Sequence, residues 1–288
     1  MRAYLPKYNL TSATSLDHAL QLLDNGNRPI AGGTDLMVLF DTGNLPEGNY
    51  VSIHSLNELK GICISDEYVK IGALTTYSEL RQNEVIRDEF PCIYEAAKVT
   101  GGIAIQNRGT IGGNIANASP AADTPPALLV YNASLKIISS TDEKNIEYKN
   151  FHKDYKQTQL AANELIKEII LPRQNKHKLH YYRKVGTRKA QAISKICIAA
   201  LANFTKEKIE NVKISVASVA PTVVRCTKTE DYFCGKQYSQ IDIHEAQQVL
   251  QTEISAIDDI RSTKNYRVRV TCNLIQEFFD LITEENNE

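Results

Sequence analysis

The sequence lacks the cysteine pattern that protein-bound metals and clusters use. Its six cysteines are scattered, and no two of them form a C-x-x-C pair. Zinc sites and iron–sulfur clusters are usually ligated by such pairs, so we expect no metal site in this chain. Most of the cysteines are expected to be small buried hydrophobic residues.

Strong net charge and long apolar runs are also absent. The 288 residues include 33 basic and 34 acidic side chains, and the formal net charge of −1 gives no overall attraction to nucleic acid or anionic lipid. No apolar run approaches the ~18 residues that span a bilayer, and the first residues show no signal-peptide pattern. These absences predict a cytoplasmic protein that binds neither nucleic acid nor membrane.

Two glycine-rich segments are the most informative features that are present. Residues 110–123 read TIGGNIANASPAAD, and residues 31–35 read AGGTD. Because glycine has no Cβ, Gly112 and Gly113 are expected to adopt positive φ and to bring backbone N–H groups close to a pyrophosphate. Neither G-x-G-x-x-G nor G-x-x-x-x-G-K-[S/T] occurs, which excludes the usual NAD and ATP loops. The two segments are expected to converge on one dinucleotide in a crevice between two subdomains.

Local patterns predict several helices. Ser15 is expected to cap a helix that runs to residue 24, and Thr76 and Glu79 have capping-box spacing. Pro91 should interrupt a helical stretch at 83–99, and Pro125 suits the start of another helix. A helical apolar stripe follows residue 263.

Further patterns in the sequence predict strands and a domain boundary. Strands are expected at residues 51–53, 68–71, 134–139 and 211–219, and another should end at Pro172. The polar run at 174–178 predicts the main domain boundary.

Several segments, taken in order, resemble one family. They are residues 31–35, 110–123, 182–189, 220–225, 259–262 and 266–267. They resemble the FAD-binding subunit of molybdenum hydroxylases, and bacterial xanthine dehydrogenase most closely, over nearly the whole chain.

The resemblance implies an α+β fold. A p-cresol-methylhydroxylase-type FAD-binding domain of two α+β subdomains would be followed by a smaller C-terminal α+β domain of the CO dehydrogenase flavoprotein type. The expected limits are residues 1–173 for the first domain, with subdomains at about 1–57 and 58–173, and residues 178–286 for the second.

The resemblance also implies which residues would bind FAD. The two glycine segments would wrap the pyrophosphate, Asp123 would accept hydrogen bonds from a polar part of the cofactor, and Ile166 would contact the flavin or the adenine. Lys184 would lie near the isoalloxazine ring, where a cation stabilises the negative charge of reduced flavin. No side chain is expected to act as a nucleophile. The implied cofactor-binding set is Pro29, Ile30, Ala31, Gly32, Gly33, Thr34, Asp35, Leu36, Thr110, Ile111, Gly112, Gly113, Asn114, Asp123, Ile166 and Lys184.

Simpler interpretations of the same residues stay open. A glycine pair can mark only a turn, and Asp35 and Asp123 can equally cap helices. Without the resemblance, the basic neighbours of Lys184 would favour a solvated face. Relatives commonly read Pro-Gln-Ile-Arg-Asn before the second glycine segment, whereas residues 103–107 read IAIQN here.

The implied function is electron transfer within a complex. A large partner subunit would hold molybdopterin and hydroxylate a purine, a small one would hold [2Fe–2S] clusters, and FAD in this chain would pass electrons to NAD⁺. The chain alone should oxidise no purine. The alternatives are a self-sufficient flavin reductase of the same fold, such as a relative of UDP-N-acetylenolpyruvylglucosamine reductase, and a non-enzymatic nucleotide-binding subunit.

Overall fold

The structure is a computed structural model that describes residues 7–173, 177–188 and 191–287. Residues 1–6, residues 174–176 of the predicted domain boundary, and Lys189 lie outside these ranges. The helices are α1 (Leu16–Asp24), α2 (Leu36–Asp41), α3 (Tyr77–Gln82), α4 (Glu84–Glu89), α5 (Pro91–Val99), α6 (Ile103–Gln106), α7 (Ile111–Asn117), α8 (Pro125–Val130), α9 (Thr227–Phe233), α10 (Ile243–Gln251) and α11 (Lys264–Asn287). The strands are β1 (Tyr8–Ser12), β2 (Arg28–Ile30), β3 (Gly48–Ser52), β4 (Ile62–Ile64), β5 (Tyr68–Gly72), β6 (Ser134–Ile138), β7 (Glu143–Glu147), β8 (His152–Asp154), β9 (Gln157–Thr158), β10 (Leu165–Pro172), β11 (Leu179–Val185), β12 (Ile196–Phe204), β13 (Ile209–Ala217) and β14 (Val224–Arg225).

Within the described residues, the strands form one parallel sheet and three antiparallel sheets. The parallel sheet has the order β1-β3-β2, and the antiparallel sheets have the orders β4-β5-β10-β6-β7, β11-β12-β13-β14 and β8-β9. Helices α1 and α2 connect strands of the first sheet, α3 to α8 lie between β5 and β6, and α9 to α11 follow β14. This arrangement confirms the predicted α+β fold, with two subdomains followed by a C-terminal unit. The exact residue limits of the domains stay predictions.

Helix ends follow the local signals in the sequence. Ser15 caps α1 through its side chain, and Thr76 and Glu79 make both hydrogen bonds of a capping box at α3. Pro91 opens α5 directly after α4 ends, and Pro125 opens α8. These observations confirm the predicted helix ends. Each end could be predicted from sequence because it depends on a hydrogen bond or a proline ring within a few residues.

Strand β12 joins the C-terminal unit to the rest of the molecule. Its sequence, ICIAALANF, is apolar almost throughout because both faces of the strand are buried. Ala199 and Leu201 pack in one core with residues of α5 and α8, whereas Ile198 and Ala200 pack in the core of the C-terminal unit. This strand was not predicted, because apolar and polar residues alternate only along strands that have one solvated face.

The long helix α11 closes the C-terminal unit. The predicted apolar stripe, which includes Ile275, Phe278 and Ile282, is buried in the core of that unit. Within the described ranges, no helix has both the length and the apolar content needed to cross a bilayer.

A largely buried ion pair links β14 to α9. The Arg225 guanidinium donates to the Glu230 carboxylate, which also accepts the N–H of Ile214 at 2.7 Å. Arg225 Nη1 donates further to the carbonyl oxygen of Leu129 in α8, at 2.9 Å. The pair therefore fixes the C-terminal sheet to its own helix and to the preceding unit.

We expect Glu230→Ala to lower the free energy of unfolding by about 3 kcal/mol, because it leaves a buried guanidinium and a buried N–H without their acceptor. Urea denaturation followed by circular dichroism measures the change. The matched control is Glu147→Ala, which removes an ion pair with Lys149 whose side chains are 64% and 63% exposed and should cost about 0.5 kcal/mol or less. Equal losses in the two variants would contradict the role given to Glu230.

Candidate functional site

A cavity of about 400 Å³ opens between the first sheet and the second subdomain. Its wall comes from the loop between β2 and α2, from α7 and the residues just before it, and from the start of β10. A cavity of this size is typical of a small-molecule site.

The loop between β2 and α2 presents unpaired backbone N–H groups to this cavity. It runs over residues 31–35, with Gly33 at a φ of +78°. The N–H groups of residues 32–35 make no hydrogen bond within the described part of the chain. Successive free N–H groups at a glycine turn form a concave site for an anion, so this loop can bind a phosphate through its main chain alone.

The second glycine segment is helical, and the prediction of positive φ at Gly112 and Gly113 is therefore wrong. Both residues lie in the first turn of α7, where the Thr110 hydroxyl accepts the N–H of Gly113 at 3.1 Å. The N–H of Gly112 donates to the carbonyl oxygen of Ala73 at 2.9 Å. These donors are used inside the protein, whereas those of the first loop are free.

Glycine is required at these positions mainly for space. A Cβ at Gly112 would lie 2.6 Å from the Cβ and 2.7 Å from the carbonyl oxygen of Ala73. A Cβ at Gly32 would overlap the carbonyl oxygen of Arg108, two residues before α7 is capped. The first glycine segment thus packs against the backbone just before the second one, and both segments line the cavity.

The structure brings most of the predicted set together around the cavity. Ile30 and Ile111 support the two loops from behind, and Ile111 is fully buried. Asp123 and Lys184 are also set back from the wall. The predicted residues that line the cavity are Pro29, Ala31, Gly32, Gly33, Thr34, Asp35, Leu36, Thr110, Gly112, Gly113, Asn114 and Ile166.

Asp123 and Lys184 form a buried ion pair behind the wall. Lys184 Nζ donates to Asp123 Oδ2 at 2.7 Å and to the carbonyl oxygen of Val99 at 2.9 Å, beside the cavity-lining Thr100. The Ser194 hydroxyl donates to Asp123 Oδ1 at 2.6 Å. Burial raises the pKa of Asp123, and the Lys184 ammonium opposes that rise. With 8% of its side chain exposed, Lys184 does not belong to a solvated basic face.

One donor of the Lys184 ammonium remains available. An ammonium has three N–H bonds, and two of them point to Asp123 and Val99. The third has no acceptor among the described residues. The charge of Lys184 therefore lies behind the cavity wall, with one N–H bond that no described residue accepts.

The structure adds lining residues that the sequence analysis missed. Tyr77 lies in the first turn of α3, and burial raises the pKa of its hydroxyl. Lys156 lines the cavity from the turn between β8 and β9, at a φ of +53°. Its charge lowers the pKa of Asp35, which partial desolvation raises. The capping box at residue 76 could have located Tyr77, whereas no local signal marks Lys156.

Asp35 occupies the cap position of α2, but its side chain makes no capping hydrogen bond.

Four cysteines are buried, as expected of small hydrophobic residues, and burial raises the pKa of Cys92 to about 12. Cys63 is exposed and Cys234 is half-buried.

Comparisons with known proteins agree with this architecture. Residues 6–174 match the FAD binding domain in molybdopterin dehydrogenase, and residues 180–282 match the CO dehydrogenase flavoprotein C-terminal domain. The glyceraldehyde dehydrogenase medium chain of Sulfolobus acidocaldarius is 28% identical over 278 residues, which cover 96% of this chain and 98% of that protein. The xanthine dehydrogenase FAD-binding subunit of Escherichia coli O157:H7 is 27% identical over 262 residues, or 90% of each chain.

A solved structure shows the same fold. Carbon monoxide dehydrogenase from Hydrogenophaga pseudoflava contains a chain that superposes with a TM-score of 0.90 at 22% identity, covering 95% of this chain and 96% of that one. Because the first family model matches more than half of the sequence, the chain belongs to the FAD-binding medium subunits of the molybdenum hydroxylase family.

Proposed function

We propose that the chain binds FAD in the cavity and works as the electron-transferring flavin subunit of a molybdenum hydroxylase complex. The observation that carries this proposal is the row of free N–H groups at residues 32–35, which faces the cavity beside the backbone of the second glycine segment. A pyrophosphate is a ligand that such a row can hold without a side-chain cation. A Cβ at Gly32 or Gly112 would overlap neighbouring atoms of the protein, so glycine is required for the close packing of this part of the wall.

The rest of the cavity has the chemistry that FAD requires. Ile53, Leu74 and Ile166 offer apolar surface for an aromatic ring system, and the polar side chains of Thr34 and Asn114 can bond ribityl or ribose hydroxyls. We retain as proposed FAD contacts the twelve residues of the implied set that line the cavity, and we add Tyr77 and Lys156. Ile30, Ile111, Asp123 and Lys184 remain in the proposed site as residues behind its wall.

The buried ion pair has a separate role in this proposal. Lys184 would place its charge near the isoalloxazine ring of bound FAD, where a cation stabilises negative charge and raises the reduction potential. Asp123 and the Val99 carbonyl hold the ammonium in position. Asp123 itself would accept few hydrogen bonds from the cofactor, because both of its carboxylate oxygens already accept hydrogen bonds within the protein.

The redox chemistry belongs to the cofactor and to partner subunits. FAD, when bound, supplies the redox step between [2Fe–2S] clusters of a small subunit and NAD⁺, while a large subunit with molybdopterin oxidises the substrate. Residues of this chain bind and orient the cofactor, and none is needed as a nucleophile. Relatives are named for glyceraldehyde, xanthine and carbon monoxide. Among these we propose a purine as the substrate to test first, because the sequence motifs resemble those of bacterial xanthine dehydrogenase. The proposal keeps the cytoplasmic location predicted above.

We expect Gly113→Val to weaken FAD binding by at least about 100-fold, because the added Cβ would lie 2.8 Å from Thr110 Oγ1 and the side chain would enter the cavity. Fluorescence titration of the apoprotein with FAD measures the affinity. Gly235→Asn is the control, since a Cβ there meets no atom within 4 Å and asparagine tolerates its φ of +78°. Wild-type affinity in Gly113→Val would refute the placement of FAD between the two loops.

We expect the purified chain to carry flavin and to oxidise NADH with an artificial dye acceptor, while leaving purines unchanged until the partner subunits are added. Absorption spectra and stopped-flow kinetics measure both properties. A chain that never binds flavin would favour the non-enzymatic alternative. A flavin-containing chain that reduces its own organic substrate with NADPH would favour the self-sufficient reductase.

A further inference from the structure

Two segments near the C-terminus, residues 259–262 and 266–267, have no part in the cavity. Within them, Arg267 is a buried arginine in the first turn of α11, and its side chain is 5% exposed. Its Nη1 donates to the carbonyl oxygens of Lys195 at 3.0 Å and of Ser218 at 2.8 Å, and its Nη2 donates to Asp259 at 2.7 Å. A buried guanidinium on two main-chain carbonyls fixes both peptide groups strongly.

Lys195, whose carbonyl accepts the first of these hydrogen bonds, is connected to the Asp123–Lys184 ion pair. The N–H of Lys195 donates to the carbonyl oxygen of Val185, the neighbour of Lys184, at 2.8 Å. Ser194, the residue before Lys195, is 1% exposed and donates its hydroxyl to Asp123. A shift at Lys195 would therefore move both the donor to Asp123 and the strand that carries Lys184.

Ser218, whose carbonyl accepts the second hydrogen bond from Arg267, is also connected to the ion pair through hydrogen bonds of its own. Ser218 has a φ of +69°, an uncommon conformation for a residue with a side chain. Its N–H donates to the carbonyl oxygen of Pro120 at 2.8 Å, three residues before Asp123, and its hydroxyl donates to the carbonyl oxygen of Ser194 at 3.1 Å. The Arg267 bond to its carbonyl helps to hold this conformation.

We propose that Arg267 is a positioning residue for the cofactor site: through Lys195, Ser218 and Ser194 it fixes the geometry of the Asp123–Lys184 pair and so sets the reduction potential of bound flavin. Arg267 touches neither the cavity nor the pair itself. The inference rests on the proposed function for its effect on flavin, and on hydrogen bonds alone for its effect on Asp123.

A purely structural role would be shared by other ion-paired arginines, and the half-buried Arg225 provides a control for it. Arg225 also pairs with a carboxylate and with a main-chain carbonyl in the C-terminal unit, but its partners are Glu230, Leu129 and Asn132. None of these bonds reaches Asp123 or Lys184. Loss of Arg225 should therefore destabilise the fold without affecting the ion pair.

The test compares the midpoint potential of FAD bound to the full-length chain in Arg267→Met, Arg225→Met and Lys184→Met. We expect Arg267→Met to reduce the preference of the site for reduced over oxidised flavin by about tenfold, which is ~30 mV for a two-electron couple. Lys184→Met should produce at least as large a shift in the same direction, and Arg225→Met less than a twofold change. Arg267→Lys, which keeps the charge and can still reach a carbonyl, should recover part of the shift.

Two further measurements decide the outcome if a variant folds poorly or flavin is lost. Ser194→Ala removes one hydroxyl only and should shift the potential in the same direction as Arg267→Met. In the flavin-free chain, carbon-13 NMR of the Asp123 carboxyl should show a higher pKa in Arg267→Met than in wild type or Arg225→Met, because Asp123 loses a well-placed donor and a well-placed cation.

The possible results separate the two proposals. An unchanged Asp123 titration in Arg267→Met, or a wild-type potential in that variant, overturns the positioning role. A wild-type potential in Lys184→Met alongside a shifted one in Arg267→Met also overturns it, because the effect would then not pass through the ion pair. A wild-type chain that binds no FAD refutes the proposed function, while the carboxyl titration still decides the role of Arg267.

Discussion

The close packing of backbone around Gly32 and Gly112 is the constraint on which the site depends. Gly32 meets the carbonyl of Arg108, and Gly112 meets the strand end at Ala73, at distances that admit no side chain. Because the protein interior is close-packed, neither contact can be relieved by a small adjustment. This packing leaves the N–H groups of residues 32–35 unpaired at the edge of the cavity, where an anion can bind them.

A second constraint connects the C-terminal unit to this site. Strand β12 is buried on both faces, and the strand before it carries Lys184 into contact with Asp123. Burial of a charged pair is unfavourable unless its hydrogen bonds are complete, and here Ser194 and the Val99 carbonyl supply the additional bonds. The C-terminal unit therefore contributes a charge to the cofactor site as well as an interface.

Sequence patterns predicted those features that depend on a few neighbouring residues. The cap at Ser15, the capping box at Thr76 and the helix starts at Pro91 and Pro125 are all present, because each arises from a local bond or ring. Residues of both glycine segments line one cavity, as expected of converging segments, while their contact with FAD stays a prediction.

The remaining features depend on contacts between distant parts of the chain. Gly112 and Gly113 were expected at positive φ, but their role is to let α7 pack tightly, and a glycine pair does not distinguish these cases. Lys184 lies 61 residues from Asp123, and Ser194 lies 71 residues from it, so no local pattern reveals their pairing. Lys156 reaches the cavity only because a two-stranded ribbon folds over it.

Amide hydrogen exchange with and without FAD tests the central claim most directly, since it reports on individual N–H groups. The account predicts that residues 32–35 gain at least about tenfold protection when FAD binds, whereas the N–H groups of Gly112 and Gly113, which are already hydrogen-bonded, change little. Flavin binding that leaves residues 32–35 as exposed to exchange as in the apoprotein would contradict it.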